Sequence, residues 1–207
     1  MNILDTDSER LLAAVRGLLE QKGLVSALEI EERRRATDNA SPGQGARMVA
    51  RAWVDPAYRA LMLSDGSKAA EALSIPMRGM PPLGVLENTP EVHNLVVCTL
   101  CSCYPRAVLG YPPFWYKSAA YRARAVRDPR GLLASEWKTI IPENVKLRVV
   151  DSTADYRWMV LPMRPVGTEG WDEVRLAGIV REGDMIGVTV PAVQAGGAAV
   201  RGAAVGA

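Results

Sequence analysis

The sequence predicts an α+β protein in which a helical N-terminal arm precedes a mixed domain. Two observations predict this class. The first third of the chain shows apolar residues at helical spacing behind residues that favour helix starts. After a proline-rich stretch the character changes, and short runs rich in valine alternate with further helical segments. We therefore divide the chain into an arm at residues 1–45, a domain at 46–192 and a small-residue tail at 193–207.

The arm contains two predicted helices. In the segment TDSERLLAAVRGLLEQKG, Thr6 and Glu9 have the spacing of a capping box, and leucines and a valine follow on one face. In SALEIEERRRA, Ser26 and Glu29 repeat the cap. The EERRR run predicts a solvated helix face of mixed charge rather than a basic binding patch.

The domain is predicted to open with a helix from about residue 44 to 54, and Asp55-Pro56 starts another that ends at Asp65-Gly66. A long connection, PMRGMPPLGVLENTP, leads to a buried strand, HNLVV. YPPFWYK is predicted to be irregular because of its paired prolines. The remaining predicted elements are helices at SAAYRARAVR, PRGLLASEW and WDEVRLAGIV and strands at KLRVV, YRWMVLPM and MIGVTV.

Composition excludes several classes of protein. The 207 residues have a formal net charge of +2, which argues against a nucleic-acid binder. No apolar run approaches the roughly 20 residues that span a bilayer. The acidic start, MNILDTDSER, has no secretory signal pattern, so we expect a cytoplasmic protein.

The chemistry of the sequence is concentrated in VVCTLCSCYP. This stretch holds all three cysteines, Cys98, Cys101 and Cys103, in the pattern C-x-x-C-x-C. A clustered, odd number of thiols is not a disulfide framework. Zinc would need a fourth ligand, for which the chain offers only His93. Alternatively, Cys101 and Cys103 with the peptide nitrogens of Ser102 and Cys103 can chelate a trivalent iron or cobalt in a plane, with Cys98 on one axial side. The spacing leaves zinc or cluster binding, an octahedral site and three inert thiols open.

VCTLCSCYP resembles the metal-binding segment of the nitrile hydratase alpha subunit. LGYPPFWYKSAAYRARAVRDPRGLL, DSTADYRWMVLPMRPVGTEGW and ENTPEVHNLVV are similar to the same family in order and spacing, over roughly residues 45 to 190. The cysteine motif is shared with the catalytic subunit of thiocyanate hydrolase. Within the family, Thr99 and Tyr104 mark the cobalt type.

The resemblance implies a set of roles and a layered α-β-β-α domain. Cys98, Cys101, Ser102 and Cys103 would bind low-spin Co(III), with Fe(III) as the alternative, and Cys101 and Cys103 would be oxidised to sulfinic and sulfenic acid. Cys103, Ser102, Asp151 and Arg157 would form the catalytic set, with Asp155 where the family often has glutamate. The implied partners are a beta subunit, or two smaller subunits in its place, whose arginines hold the oxidised cysteines, and a chaperone that inserts cobalt.

One pocket residue departs from the family. Arg106 stands where the family usually has tryptophan, so we expect Arg106 and Tyr104 to line a polar substrate pocket. This favours a bulky heteroaromatic nitrile and a similarity to the toyocamycin nitrile hydratase kind. The alternatives are a thiocyanate hydrolase catalytic subunit and a non-catalytic zinc-binding module that uses His93. We otherwise interpret His93 as structural.

Overall fold

The structure, a computed structural model, describes residues 6–193, and of Thr6 only the backbone. Most of the predicted tail, residues 194–207, lies outside the described residues. The helices are α1 (Thr6–Gln21), α2 (Ala27–Asn39), α3 (Pro42–Val54), α4 (Pro56–Ser64), α5 (Gly66–Ala72), α6 (Arg106–Leu109), α7 (Phe114–Lys117), α8 (Ala119–Arg127), α9 (Pro129–Trp137), α10 (Glu173–Ala177) and α11 (Glu182–Ile186). The strands are β1 (Leu83–Glu87), β2 (Val92–Val97), β3 (Lys146–Asp151) and β4 (Arg157–Leu161).

The chain divides between Ala40 and Ser41 into two compact units. The first unit contains α1 and α2. The capping box predicted for α2 is present, because the Glu29 amide donates to Ser26 Oγ at 3.1 Å and the Ser26 amide donates to the Glu29 carboxylate at 2.9 Å. The arm is therefore helical by its own local signals.

The second unit opens with three consecutive helices joined by aspartates. Asp55 accepts from the amides of Ala57 and Tyr58 at the start of α4, as the Asp55-Pro56 pair predicts. Asp65 ends α4 as expected, but its carboxylate also accepts from the Lys68 amide and begins α5. Helix α5 is not predicted from the sequence, because Asp65 serves both as the end of α4 and as the start of α5.

The strands form two parallel pairs, β1 with β4 and β2 with β3. Helices α4 and α5 pack on β1, strand β2 contacts β4, and α8 and α9 pack on β2 and β3 respectively. The second unit is thus layered as helix, strand pair, strand pair, helix. The predicted α+β class and its α-β-β-α layering are confirmed. Parallel pairing has one consequence for function: the carboxyl ends of β2 and β3 meet at one edge.

Three local predictions are wrong. MIGVTV is not a strand, since residues 182–186 form α11, and Met185 and Ile186 are buried helical residues. The proline-rich connection contains β1, which begins directly after the prolines. In β1, Gly84 leaves room for the ring of Trp158 on β4, because a Cβ there would lie 2.4 Å from that ring. YPPFWYK contains the single-turn helix α7.

Candidate metal centre

The cysteine loop, residues 98–104, begins where β2 ends. Val97, the last residue of β2, lies opposite Asp151, the last residue of β3, in the parallel register. Cys98 is therefore placed at the shared carboxyl edge of the two strands. Cys98 and Cys103 are buried, with 1% and 8% of their surfaces exposed, whereas Cys101 is exposed. The loop thus presents one sulfur outward and holds two inside.

The three sulfurs converge. The Sγ atoms of Cys98 and Cys101 are 3.5 Å apart, those of Cys101 and Cys103 are 3.2 Å apart, and all three lie within 4.8 Å of one another. The Cys101 amide also donates to Cys98 Sγ at 3.2 Å. Sulfurs at these separations can ligate one ion, since a metal–thiolate bond is about 2.3 Å long.

The surroundings of Cys101 and Cys103 shift the pKa values of these two thiols in opposite directions. Hydrogen bonds from the Cys103 and Cys98 side chains and from the Ser102 and Cys103 backbone lower the pKa of Cys101. Burial, with the neighbouring thiols, raises the pKa of Cys103 to about 12, and the charge of Arg157 opposes that rise. A metal ion would deprotonate all three. The two backbone amides that favour the Cys101 thiolate are those predicted to serve as nitrogen ligands.

Two side chains fix the loop from outside. The Asp151 carboxylate accepts from the Thr99 amide at 3.0 Å and from Thr99 Oγ1 at 2.5 Å. Arg122, on α8, donates from Nη1 to the Leu100 carbonyl at 3.0 Å. The resemblance predicts a role for Asp151, whereas the contact of Arg122 with the loop is not predicted from the sequence. Only the register of α8 against the loop shows this contact, and no motif in the sequence indicates it.

The segment after the loop is anchored in the core. The Tyr116 hydroxyl donates to the Cys103 carbonyl at 2.9 Å, and the Tyr104 hydroxyl donates to Glu182 Oε1 at 2.5 Å. The two tyrosine rings meet edge to face, 4.9 Å between centroids. Burial raises the pKa of Glu182 and of both tyrosines. Tyr104 is therefore held by two independent contacts immediately beside Cys103.

A cavity of about 180 Å³ adjoins this segment. Its lining is mostly apolar, with two guanidinium groups, and consists of Met77, Met80, Pro81, Leu83, Tyr104, Pro105, Arg106, Ala107, Val108 and Arg157. The Arg106 guanidinium lies over the Tyr111 ring, with its central carbon 4.2 Å from the ring centroid. The structure thus brings Tyr104, Arg106 and Arg157 to one cavity. Asp155 lies apart, exposed in the turn between β3 and β4.

His93 belongs to a different cluster. Its Nε2 lies 2.8 Å from the Gly187 carbonyl oxygen and its Nδ1 lies 3.3 Å from Nδ2 of the Asn88 side chain. Cys98 follows His93 by five positions along an extended strand, about 16 Å at the usual rise. Among the described residues, the cysteines are the one group of histidine, cysteine or acidic side chains that converges as metal ligands do. The zinc module built on His93 is therefore not supported, and the structural interpretation of His93 agrees with these contacts.

Comparison with known proteins identifies the family. The profile described as "Nitrile hydratase, alpha chain" matches residues 6–189. The chain belongs to the nitrile hydratase alpha-chain family. It is 49% identical, over 86% of each chain, to the low-molecular weight cobalt-containing nitrile hydratase subunit alpha of Rhodococcus rhodochrous. It is 43% identical to the thiocyanate hydrolase subunit gamma of Thiobacillus thioparus, over 90% of this chain and 81% of that one.

A solved structure agrees with this membership of the alpha-chain family. A double mutant of the Fe-type nitrile hydratase from Comamonas testosteroni Ni1, in which two histidines are replaced by alanine, superposes with a TM-score of 0.75 at 39% identity, covering 95% of this chain and 99% of that one. The matched relatives are named as subunits of larger enzymes. In the described range, no helix is both long and apolar enough to span a membrane.

Proposed function

We propose that this alpha chain is the metal-binding catalytic subunit of a cobalt nitrile hydratase, which converts R–C≡N and water to the amide R–C(O)NH₂. The observation that carries the proposal is the convergence of the Cys98, Cys101 and Cys103 sulfurs within 4.8 Å on a loop fixed at the edge of β2 and β3. Cobalt is favoured over iron because Thr99 and Tyr104 match the cobalt type and because the relative from R. rhodochrous contains cobalt.

The residues present fit such a centre. Three thiolates and, once deprotonated, the amide nitrogens of Ser102 and Cys103 would hold the ion, and both amides lie at the Cys101 sulfur. Arg157 supplies a second line of support, because its Nη1 is buried without a hydrogen-bond partner in the structure. A buried donor of this kind is costly unless an acceptor arrives. An oxygen on Cys103 would be such an acceptor, beside a cation that already favours negative charge there.

The chain's own groups would then perform the hydration. A trivalent metal held by these residues would supply the Lewis acidity that makes the nitrile carbon electrophilic. The sulfenate oxygen of Cys103 would either attack that carbon, with a water then releasing the amide and restoring the sulfenate, or take a proton from a water that attacks the carbon and pass that proton to the nitrile nitrogen. Arg157 would stabilise the negative charge on that oxygen, and Asp151 would hold the loop through Thr99. Sulfenic acid is normally transient, so it must be kept from other thiols and from oxidants.

Exposed side chains on the cysteine loop and on α7 support the presence of a partner chain. Cys101 is exposed, Leu100 between the first two cysteines is 86% exposed, and Phe114 is 87% exposed. A beta subunit, or two smaller subunits, would cover these side chains and add arginines for the oxidised sulfurs. A chaperone would insert cobalt before assembly. We expect the purified chain alone to be inactive.

The cavity supports an aromatic substrate. Its volume of about 180 Å³ is close to the roughly 150 Å³ of a cavity that binds benzene. It can therefore take an aromatic ring, and the sugar of a nucleoside nitrile such as toyocamycin would extend out of it. Arg106 presents a flat, charged donor that can stack on or hydrogen-bond to ring nitrogens.

Thiocyanate is the second candidate substrate. Arg106 and Arg157 both line the cavity, and two cations favour an anion. The relative from T. thioparus is a thiocyanate hydrolase subunit. Comparing kcat/KM for toyocamycin, acrylonitrile and thiocyanate in native enzyme and in Arg106→Trp separates the candidates. We expect the nucleoside to be preferred and Arg106→Trp to reduce that preference at least about tenfold. Preference for acrylonitrile, or an unchanged ratio, contradicts the substrate proposal.

The reaction itself is tested by co-expression with the neighbouring reading frames in cobalt medium. We expect about one cobalt per alpha chain, two added oxygens on Cys101, one on Cys103 and amide as product. Zinc at stoichiometry without amide formation would overturn the enzyme assignment. Full activity with three unmodified thiols would overturn the oxidised centre.

A further inference from the structure

Two buried donors without partners lie beside the cysteine loop. In the part of the chain that the structure describes, the buried side-chain nitrogens or oxygens lacking a hydrogen bond are Arg122 Nε and Arg157 Nη1. Both arginines border the loop, Arg157 through its charge on Cys103 and Arg122 through the Leu100 carbonyl. Unpaired buried donors are rare in folded proteins and call for a physical explanation.

Arg122 acts on one particular peptide group. The Leu100 carbonyl that it binds shares a peptide bond with the Cys101 amide, and that amide donates to Cys98 Sγ at 3.2 Å. The peptide is therefore held at both ends, by a guanidinium at its oxygen and by a sulfur at its N–H. A cation at the oxygen polarises the amide and strengthens its N–H as a donor.

The base of the Arg122 side chain is rigid. The preceding residue, Tyr121, is 3% exposed, and its hydroxyl donates to the Val96 carbonyl at 2.6 Å, two residues before Cys98. Ser118 caps the same helix by accepting from the Tyr121 amide at 3.1 Å. The first turn of α8 is thereby tied to the end of β2, so Arg122 projects from a fixed point relative to Cys98.

We propose that Arg122 is a positioning residue of the metal centre, which orients the Leu100–Cys101 peptide so that its N–H supports the Cys98 sulfur. Its role toward the metal rests on the proposed function, whereas its role in holding the loop does not. The unpaired Nε is a further donor for an acceptor that comes with metal or oxidised sulfur. This chain thus contributes a cation to the loop from α8, in addition to any arginines from a partner.

The loop-holding role is tested on the metal-free full chain by amide hydrogen exchange. In Arg122→Gln, we expect the Cys101 amide to exchange about tenfold faster, because one charged hydrogen bond is lost. Arg122→Lys retains a charge and should restore part of the protection. Arg127→Gln, at an exposed arginine of the same helix, is the matched control and should leave the loop unchanged. Equal exchange in all variants would overturn the proposal.

The role toward the metal is tested on the assembled, cobalt-loaded complex. We expect Arg122→Gln to lose cobalt to a chelator several-fold faster and to shift the sulfur-to-cobalt absorption band to longer wavelength. A weaker N–H donor leaves the Cys98 sulfur more electron-rich, which a merely structural loss of stability would not reproduce. An unshifted band would restrict Arg122 to holding the loop and overturn the sulfur-tuning step. If native protein takes up no cobalt, the proposed function fails, and the exchange experiment still decides whether Arg122 holds the loop.

Discussion

The two ends of β2 treat polar groups in opposite ways. Near its start, Asn88, His93 and Asn94 are buried, and their side chains are paired with one another, with backbone carbonyls or, at Asn94 Oδ1, with Arg148. At its carboxyl end, the cysteine loop has an exposed thiol, and two arginines beside the loop have unpaired buried nitrogens. A polar cluster that satisfies itself stabilises the fold. A polar cluster that leaves buried donors unpaired indicates an acceptor that the chain itself does not contain.

The largest expected effect is loss of the centre. Cys98→Ser, Cys101→Ser and Cys103→Ser should each abolish cobalt retention and turnover, because the chelate does not survive the loss of one sulfur. The melting temperature of the metal-free chain should change little. Ser102→Ala is the matched control: only the backbone nitrogen of this residue is proposed as a ligand, so cobalt should be retained. If Cys103→Ser kept cobalt and a near-normal rate, the sulfenate would not be the nucleophile.

Some features of the fold and of the metal centre can be predicted from the sequence, and others cannot. The helix caps at Ser26 and Asp55 are local signals, and both are present in the structure. The three cysteines are close in sequence, so their convergence needs only a tight loop. Arg122 reaches the loop through packing of α8 against β2, which depends on contacts between distant residues. Pairing of β2 with β3 likewise cannot be derived from either strand alone.

Short apolar runs explain the main error of assignment. MIGVTV alternates as a strand does, but its first residues complete the turn of α11 and pack into the core. Periodicity over so few residues does not distinguish a strand from a buried helix end. The deciding group is Asp184, whose carboxylate accepts from the Arg181 amide at 2.8 Å and from Thr189 Oγ1 at 2.5 Å. This buried aspartate therefore holds the residues that precede and follow α11.

The buried cluster of Asn88, His93 and Asn94 should be sensitive to a change in the backbone that packs against it. Gly187 has φ +88, and a Cβ there would lie 1.9 Å from the Asn94 carbonyl oxygen. Gly187→Ala should therefore lower the free energy of unfolding by at least about 3 kcal/mol, through both strain and the clash. Gly167→Ala is the control, since Gly167 has φ +83 but nothing within 4 Å of the added carbon. It should cost only about 1–2 kcal/mol, measured by urea denaturation. Equal losses would mean that the contact with Asn94 is relieved cheaply.

The link between β3 and the loop should have an intermediate effect. Asp151→Asn keeps the shape of the side chain but removes the charge that accepts from Thr99. A hydrogen bond to a charged group is worth about 1.5–3 kcal/mol, so cobalt retention and turnover should fall about tenfold. Asp155→Asn, in the exposed turn that follows β3, should leave both within about twofold. A larger effect at Asp155 than at Asp151 would reverse their proposed roles.

The smallest effect is a pH dependence carried by the one histidine of the chain. Burial lowers the pKa of His93, so the folded state binds its proton less readily than the unfolded state, whose pKa is about 6.5. His93 therefore does not reduce the free energy of unfolding above about pH 6.5. As the pH drops below this value, the free energy of unfolding falls by up to about 1.4 kcal/mol per pH unit. His93→Gln should remove this slope. Glu182, whose pKa burial raises, acts in the opposite direction at lower pH and is common to both proteins. Unfolding free energies measured from pH 7.5 to 5 give the test, and identical slopes would mean that the His93 cluster accommodates the proton.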